Sequence, residues 1–180
     1  METIQVKDKK FVVTLPEREI LRQVKRVASE INRDFETGSP LFLAVLNGSF
    51  VFAADLMREI KLQASISFIK LASYKGTSST GKVLEMIGVE RNDIEGRDII
   101  IVEDIIDSGL TMDFLTAKLR SMSPRSLSIC SLLVKPGRLK VSLDIRYRCF
   151  DIPDDFILGY GLDYDGLGRN VRDIYRVVEE

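Results

Sequence analysis

Apolar and polar positions follow two rhythms along this chain: a helical period and short unbroken apolar runs. Ile20, Val24, Val27 and Ile31, flanked by Leu21, Ala28 and Phe35, keep helical spacing. They predict an amphipathic helix reaching about Glu36. Thr14-Leu15-Pro16-Glu17 has capping-box spacing with an early proline and would open that helix. Gly38-Ser39-Pro40 ends it. Leu41 to Leu46 is apolar throughout, which suits a buried strand. Asn47-Gly48-Ser49 then predicts a turn, Phe50 to Ile60 a helix, and Ile66 to Leu71 a strand. Residues 73–82 hold no apolar residue except Tyr74 and cannot bury themselves. A mobile loop beginning at Ser73 and Tyr74 is expected there. Val83 to Val89 and Ile99 to Val102 are the next strands, and a helix follows Thr111. Leu127 to Val134 is another strand, closed by Lys135-Pro136-Gly137. Ile145 to Phe150 and Phe156 to Tyr160 are two more short strands. Strands alternating with amphipathic helices predict an α/β fold, a mostly parallel sheet with helices on both faces.

At 180 residues the chain makes one domain with a full core. Its 26 basic and 27 acidic residues give no field for gripping a nucleic-acid backbone. No apolar run approaches the ~20 residues of a membrane span. Met1-Glu2-Thr3-Ile4-Gln5 lacks a signal-peptide pattern. The expectation is a cytoplasmic protein without nucleic-acid or membrane partners. Cys130 and Cys149 lie in apolar stretches and read as buried, reduced thiols. The absence of histidine changes the picture more. It removes Ser–His–Asp and Cys–His chemistry and His-ligated zinc. A general base must then be a carboxylate, lysine or tyrosine. Any metal should be a hard ion on oxygen ligands.

The most informative stretch is 99–111. After the apolar run come Glu103 and Asp104, where the strand should end, then Asp107-Ser108-Gly109-Leu110-Thr111. Strand, polar turn and helix form the layout in which backbone N–H groups hold a phosphate. The neighbouring carboxylates suit a hard cation or sugar hydroxyls. The pattern points to a phosphorylated sugar with Mg²⁺. A turn with no ligand is the plainer alternative.

Glu103-Asp104-Ile105-Ile106-Asp107-Ser108-Gly109 closely resembles the phosphoribosyl-diphosphate (PRPP) signature of the phosphoribosyltransferases, most of all the 6-oxopurine branch. A second match is the segment 150–163, and the resemblance runs from about Phe11 to Tyr175. It implies a type I phosphoribosyltransferase-like fold with a core over about 11–135 and a small base-binding hood over about 136–175. It implies that Glu103 and Asp104 hold ribose hydroxyls, directly or through metal-bound water. The 5′-phosphate would rest on Asp107, Ser108, Gly109, Leu110 and Thr111. Asn47, Gly48 and Arg169 would contact diphosphate, although many members carry Lys or Arg where this chain has Asn47. Lys135 would meet the purine 6-oxygen, Phe156 would stack on the base, and Ile157 would offer its backbone to the purine edge. Asp163, with Glu103 and Asp104, would hold Mg²⁺. The loop at Ser73 and Tyr74 would close over the reaction centre. Asp107, crowded by other acids and a phosphate, would exchange the N7 proton. The substrates implied are PRPP and a 6-oxopurine, and the family forms dimers and tetramers.

Bland alternatives stand beside these roles. Lys135 can snorkel to solvent, Phe156 can be an ordinary core aromatic, and 73–82 can be a hairpin tip. Other functions also remain: a phosphoribosyltransferase for another base, a nucleotide-sensing regulator of RNA on the same fold, or an unrelated nucleotide-binding enzyme. The regulator wants a basic face. The unrelated enzyme wants a G-x-G-x-x-G turn, which is missing.

Overall fold

The unbroken apolar runs become the centre of a sheet covered on both sides, where each strand must bury both of its faces. The computed structural model describes residues 3–74 and 83–178. In chain order the elements begin with β1 (Thr3–Val6), β2 (Lys9–Leu15), α1 (Glu17–Asp34), β3 (Leu41–Leu46), α2 (Phe50–Glu59), β4 (Ser65–Tyr74) and β5 (Val83–Ile87). They continue with α3 (Arg91–Ile94), β6 (Asp98–Ile106), α4 (Leu110–Arg120), β7 (Ser126–Val134), a 3-10 turn at Pro136–Arg138, β8 (Tyr147–Asp151), β9 (Ile157–Leu158) and β10 (Ile174–Val177). The main sheet runs β5-β4-β3-β6-β7-β8. Only β5 is antiparallel to its neighbour; the other pairs are parallel.

Alternate residues of the central strands face two different helix layers. Phe42, Ala44, Ile100, Val102, Cys130 and Leu132 pack under α1 and α2. Leu41, Leu43, Val45, Ile99, Ile101 and Ile129 pack under α3 and α4, meeting Ile94, Met112, Leu115 and Leu119. The stripe Ile20, Val24, Val27, Ala28 and Ile31 is the buried face of α1, as its spacing predicts. Cys130 and Cys149 are buried and free. Burial pushes both thiols up, Cys149 to about 12, so neither is a ready nucleophile.

Several boundaries differ from the sequence reading. Thr14 does not cap α1. It lies in β2, and Pro16 stands at the cap position with no side-chain bond. Antiparallel pairing of β2 with β10 keeps Thr14 extended. The acceptor for the helix N-terminus comes from afar: the Glu17 N–H donates to Asp173 Oδ1 at 2.6 Å. β4 continues through Ser73 and Tyr74, which pair with Leu84 and Val83 of β5. A loop cannot start before residue 75, and 75–82 lie outside the described residues. β6 runs four residues beyond Val102, because β7 stays paired with it as far as Ile106↔Val134. The second sheet, ordered β1-β2-β10-β9, draws on both ends of the chain rather than on 136–175 alone, and β8 belongs to the main sheet. Phe11, Leu158 and Tyr175 form the small core of that second sheet.

The far end of β6 is fixed by an ion pair. Arg125 Nε donates to Asp98 Oδ1 at 3.0 Å and Ser126 Oγ donates to the same oxygen at 2.7 Å, while a second guanidinium nitrogen takes Asp98 Oδ2. Arg125, then Ser126, hold the buried Asp98 carboxyl below its ordinary range against the cost of burial. A lowered folded value stabilises above the unfolded value and is lost as pH falls through the folded one. Asp98→Asn should therefore cost about 1–3 kcal/mol at pH 7. That deficit should shrink below about pH 4. Urea melts of both proteins across pH 3–8 check this; a deficit independent of pH contradicts it.

Candidate active site

Three parallel strands end at one edge, and the polar turns expected there follow them. Asn47-Gly48-Ser49 follows β3, Asp107-Ser108-Gly109 follows β6, and Lys135 follows β7. Register makes Asp107 and Lys135 neighbours: Ile106 pairs with Val134, and the Lys135 N–H donates to Ile106 O at 2.9 Å.

The 107–111 turn leads into α4 through Gly109, whose φ of 80° is left-handed. The N–H groups of Ser108, Gly109 and Thr111 have no acceptor among the described residues, whereas Leu110 N–H reaches Ser108 Oγ at 3.5 Å. The Leu110 side chain is half exposed. Free donors at a helix N-terminus suit an anion. They border a cavity of about 110 Å³ that also touches Glu103, Ile105 and Met112.

Glu103 and Asp104 lie within β6 rather than past its end. Glu103 is buried; one carboxylate oxygen accepts the Asp104 N–H at 3.1 Å. Burial, then the adjoining Asp104 carboxyl, push Glu103 well above the ordinary carboxylate range. Asp104 turns to the β3 loop: a Cβ on Gly48 would overlap its carboxylate. Glycine at 48 is thus what lets the loop approach the acid.

Asp107 and Lys135 carry partners that the sequence reading missed. Asp107 Oδ1 accepts from Arg138 Nε at 3.0 Å, so its nearest charge is a cation and not the crowd of acids expected. Arg138 Nη1 also donates to Asp154 Oδ2 at 3.0 Å, and Asp154 Oδ1 accepts from Lys135 Nζ at 3.2 Å. Lys135, then Arg138, hold the Asp154 carboxyl below its ordinary range. Lys135 is only 7% exposed and does not snorkel. The available signal for Arg138 was its place three residues after Lys135, which a 3-10 turn brings to the same side.

Phe156 is not a core residue. It is 45% exposed and packs edge-on to Tyr164, 5.6 Å between ring centroids, with Phe11 at 6.2 Å. Ile157 is buried in β9, paired with Arg176. Asp163 and Arg169, assigned separate tasks from the resemblance, are bonded to each other at 2.6 Å. Asp163 also accepts Gly166 N–H at 2.7 Å, and Arg169 donates to Gly161 O at 2.7 Å. Gly161 in turn touches the β3 loop, since a Cβ there would overlap Gly48 O. Asn47 makes no side-chain hydrogen bond among the described residues. Ser73 and Tyr74 are strand residues at the end of β4.

No three acidic, Cys or His side chains converge as a metal cage among the described residues. Glu103 and Asp104 are two touching carboxyls, and Asp163 is tied to Arg169. That all-oxygen set fits Mg²⁺, which takes one or two carboxylates and completes its shell with water and substrate phosphates.

Known proteins match this chain along most of its length. The phosphoribosyl transferase domain model matches residues 15–165, and the chain belongs to that family. The hypoxanthine-guanine phosphoribosyltransferase of Mycobacterium tuberculosis is 40% identical over 165 residues, covering 88% of this chain and 82% of that protein. A crystal structure of the hypoxanthine-guanine phosphoribosyltransferase hpt-2 from Bacillus anthracis is 43% identical, with a TM-score of 0.84 over 93% of this chain and 97% of that one. A Trypanosoma cruzi hypoxanthine phosphoribosyl transferase, studied for how its C-terminal region affects oligomeric state and activity, has a TM-score of 0.87 at 31% identity over 97% and 95%.

The Gly48 contact yields a test. Gly48→Ala should displace the Asp104 carboxylate and lower turnover by about 10²-fold, the effect of roughly 1 Å of misplacement. The melting temperature should change little, because Asp104 is a side chain that can swing aside. Steady-state kinetics with thermal melts decide; wild-type turnover means the close approach does not serve the reaction.

Proposed function

We propose that this protein transfers the phosphoribosyl group of PRPP to N9 of a 6-oxopurine, hypoxanthine and guanine, releasing diphosphate and forming IMP or GMP in purine salvage. The observation that carries the choice of base is the buried Lys135 ammonium beside Asp107 at the strand edge. A lysine offers only donors. It donates to a 6-oxo group and opposes the 6-amino group of adenine. Relatives named hypoxanthine-guanine phosphoribosyltransferase, 40% identical to this chain, support the same reading.

In this reading the N–H groups of Ser108, Gly109 and Thr111 anchor the 5′-phosphate and fix C1 of the ribose. Glu103 and Asp104 take the ribose hydroxyls. Phe156 lies on the base, with the second sheet as its hood, and Ile157 offers backbone to the purine edge. Arg169, Asn47 and Gly48 hold the diphosphate; the arginine fork suits two oxygens. The C1–O electron pair leaves with diphosphate, N9 bonds to C1, and Asp107 accepts the N7 proton. When bound, Mg²⁺ offsets charge on the departing diphosphate, and Glu103, Asp104 and Asp163 are the carboxylates that would hold it. The reading carries a symmetric homodimer or homotetramer with it.

Lys135 must exchange Asp154 for the purine oxygen, and Asp107 must be released by Arg138. Diphosphate release from PRPP should proceed with hypoxanthine and guanine and be negligible with adenine. Comparable kcat/KM for adenine and hypoxanthine contradicts the role of Lys135. Asp107→Asn keeps the shape and removes the proton acceptor. PRPP binding should survive while kcat falls by about 10²–10⁴. Near wild-type kcat across pH 6–9 would leave Asp107 a turn former.

A further inference from the structure

We propose that Tyr160 and Asp55 form a latch that positions the diphosphate side of the site, an inference that rests on the function proposed above. Gly159, Tyr160 and Gly161 are three successive residues in left-handed conformation, with φ of 104°, 48° and 102°. Tyrosine rarely accepts that conformation. Here its ring is buried in the core under α1 and α2, and its hydroxyl donates to Asp55 Oδ2 at 2.6 Å. Asp55 sits on α2, the helix that begins directly after the Asn47-Gly48-Ser49 turn. The residue after Tyr160 lies against that turn, because a Cβ on Gly161 would overlap Gly48 O. Gly161 is also the anchor of Arg169: its carbonyl accepts from Arg169 Nη1 at 2.7 Å and its N–H donates to Arg169 O at 3.0 Å. One phenol–carboxylate bond therefore ties the bend that carries Asp163 and Arg169 to the helix that carries the β3 loop.

The latch acts on one half of the site. Asp107 and Lys135 follow β6 and β7 and bond to Arg138, Asp154 and the Ile106 carbonyl, and among the described residues no hydrogen bond or ion pair joins them to the 159–169 bend. Tyr160 is a positioning residue, since the contacts described reach the diphosphate only through Gly161, Gly48 and Arg169.

Tyr160→Phe removes the hydroxyl and keeps the ring. A hydrogen bond to a charged group is lost, so the KM for PRPP and the Kd for inorganic diphosphate, by calorimetry, should each rise roughly 10-fold. The KM for hypoxanthine should stay at its wild-type value. Asp55→Asn keeps an oxygen that accepts the phenol proton and should stay near wild type, whereas Asp55→Leu should match Tyr160→Phe. The control is Tyr147→Phe. Tyr147 is equally buried and donates to Asp34 Oδ2 at 2.9 Å, at the far end of α1. It should lower the melting temperature without moving the PRPP KM. A wild-type PRPP KM and diphosphate Kd in Tyr160→Phe, or the same rise in Tyr147→Phe, overturns the latch. If wild-type protein releases no diphosphate from PRPP and hypoxanthine, the proposed function fails. The calorimetric comparison then still decides the latch.

Discussion

The parallel register of β3, β6 and β7 is the constraint on which everything else depends. Leu41 pairs with Ile99, and Ile99 with Leu127, so the three strands advance together and release their turns at one edge. A slip of one residue would exchange the two apolar faces and send the site residues inward. Ile99 to Val102 are buried throughout, and alternate residues of the run enter the two helix layers. Function at this edge therefore follows from core packing: the same apolar runs that fill two helix layers deliver Gly48, Asp107 and Lys135 side by side.

Charges at this edge are paired within the protein. Lys135 is buried, which is costly unless the charge is paired. Asp154 supplies the pair, and Arg138 extends the chain from Asp154 to Asp107. Asp163 and Arg169 neutralise each other in the same way. In the proposed reaction Lys135, Asp107 and Arg169 each give up a protein partner for a substrate atom. Binding then exchanges one set of hydrogen bonds for another. Glu103 differs, because its nearest side-chain partner is another acid, and burial with that neighbour disfavours its charged form.

The sequence carried the layer architecture well. Leu41–Leu46 coincides with β3, and the buried stripe of α1 is the predicted one. The turns after β3, β6 and β7 were legible because glycine, serine and acids interrupt apolar runs. The second sheet was not. β1, β2 and β10 are short or half-polar, and the β2–β10 pairing joins residues more than 150 apart in sequence, which no local pattern encodes. The same limit hid the site's partners. Tyr160 and Asp55 are separated by 105 residues, and Arg138 and Asp107 by 31. Single residues of the right chemistry were visible, but which of them meet was decided by the fold. Asp154 was in view, one of two adjacent acids before Phe156, yet nothing local distinguished it from its neighbour.

A crystal structure with IMP tests the central claim most directly, because one ligand spans both turns of the edge. The account predicts the phosphate on the N–H groups of Ser108, Gly109 and Thr111. It predicts the purine 6-oxygen on Lys135 Nζ in place of Asp154. The second sheet also borders a cavity of about 690 Å³ lined by Lys10, Val12, Arg176, Asp154 and Phe156, so the base would enter it from the Phe156 side. IMP with its phosphate away from the 107–111 turn, or with its 6-oxygen away from Lys135, would contradict the account.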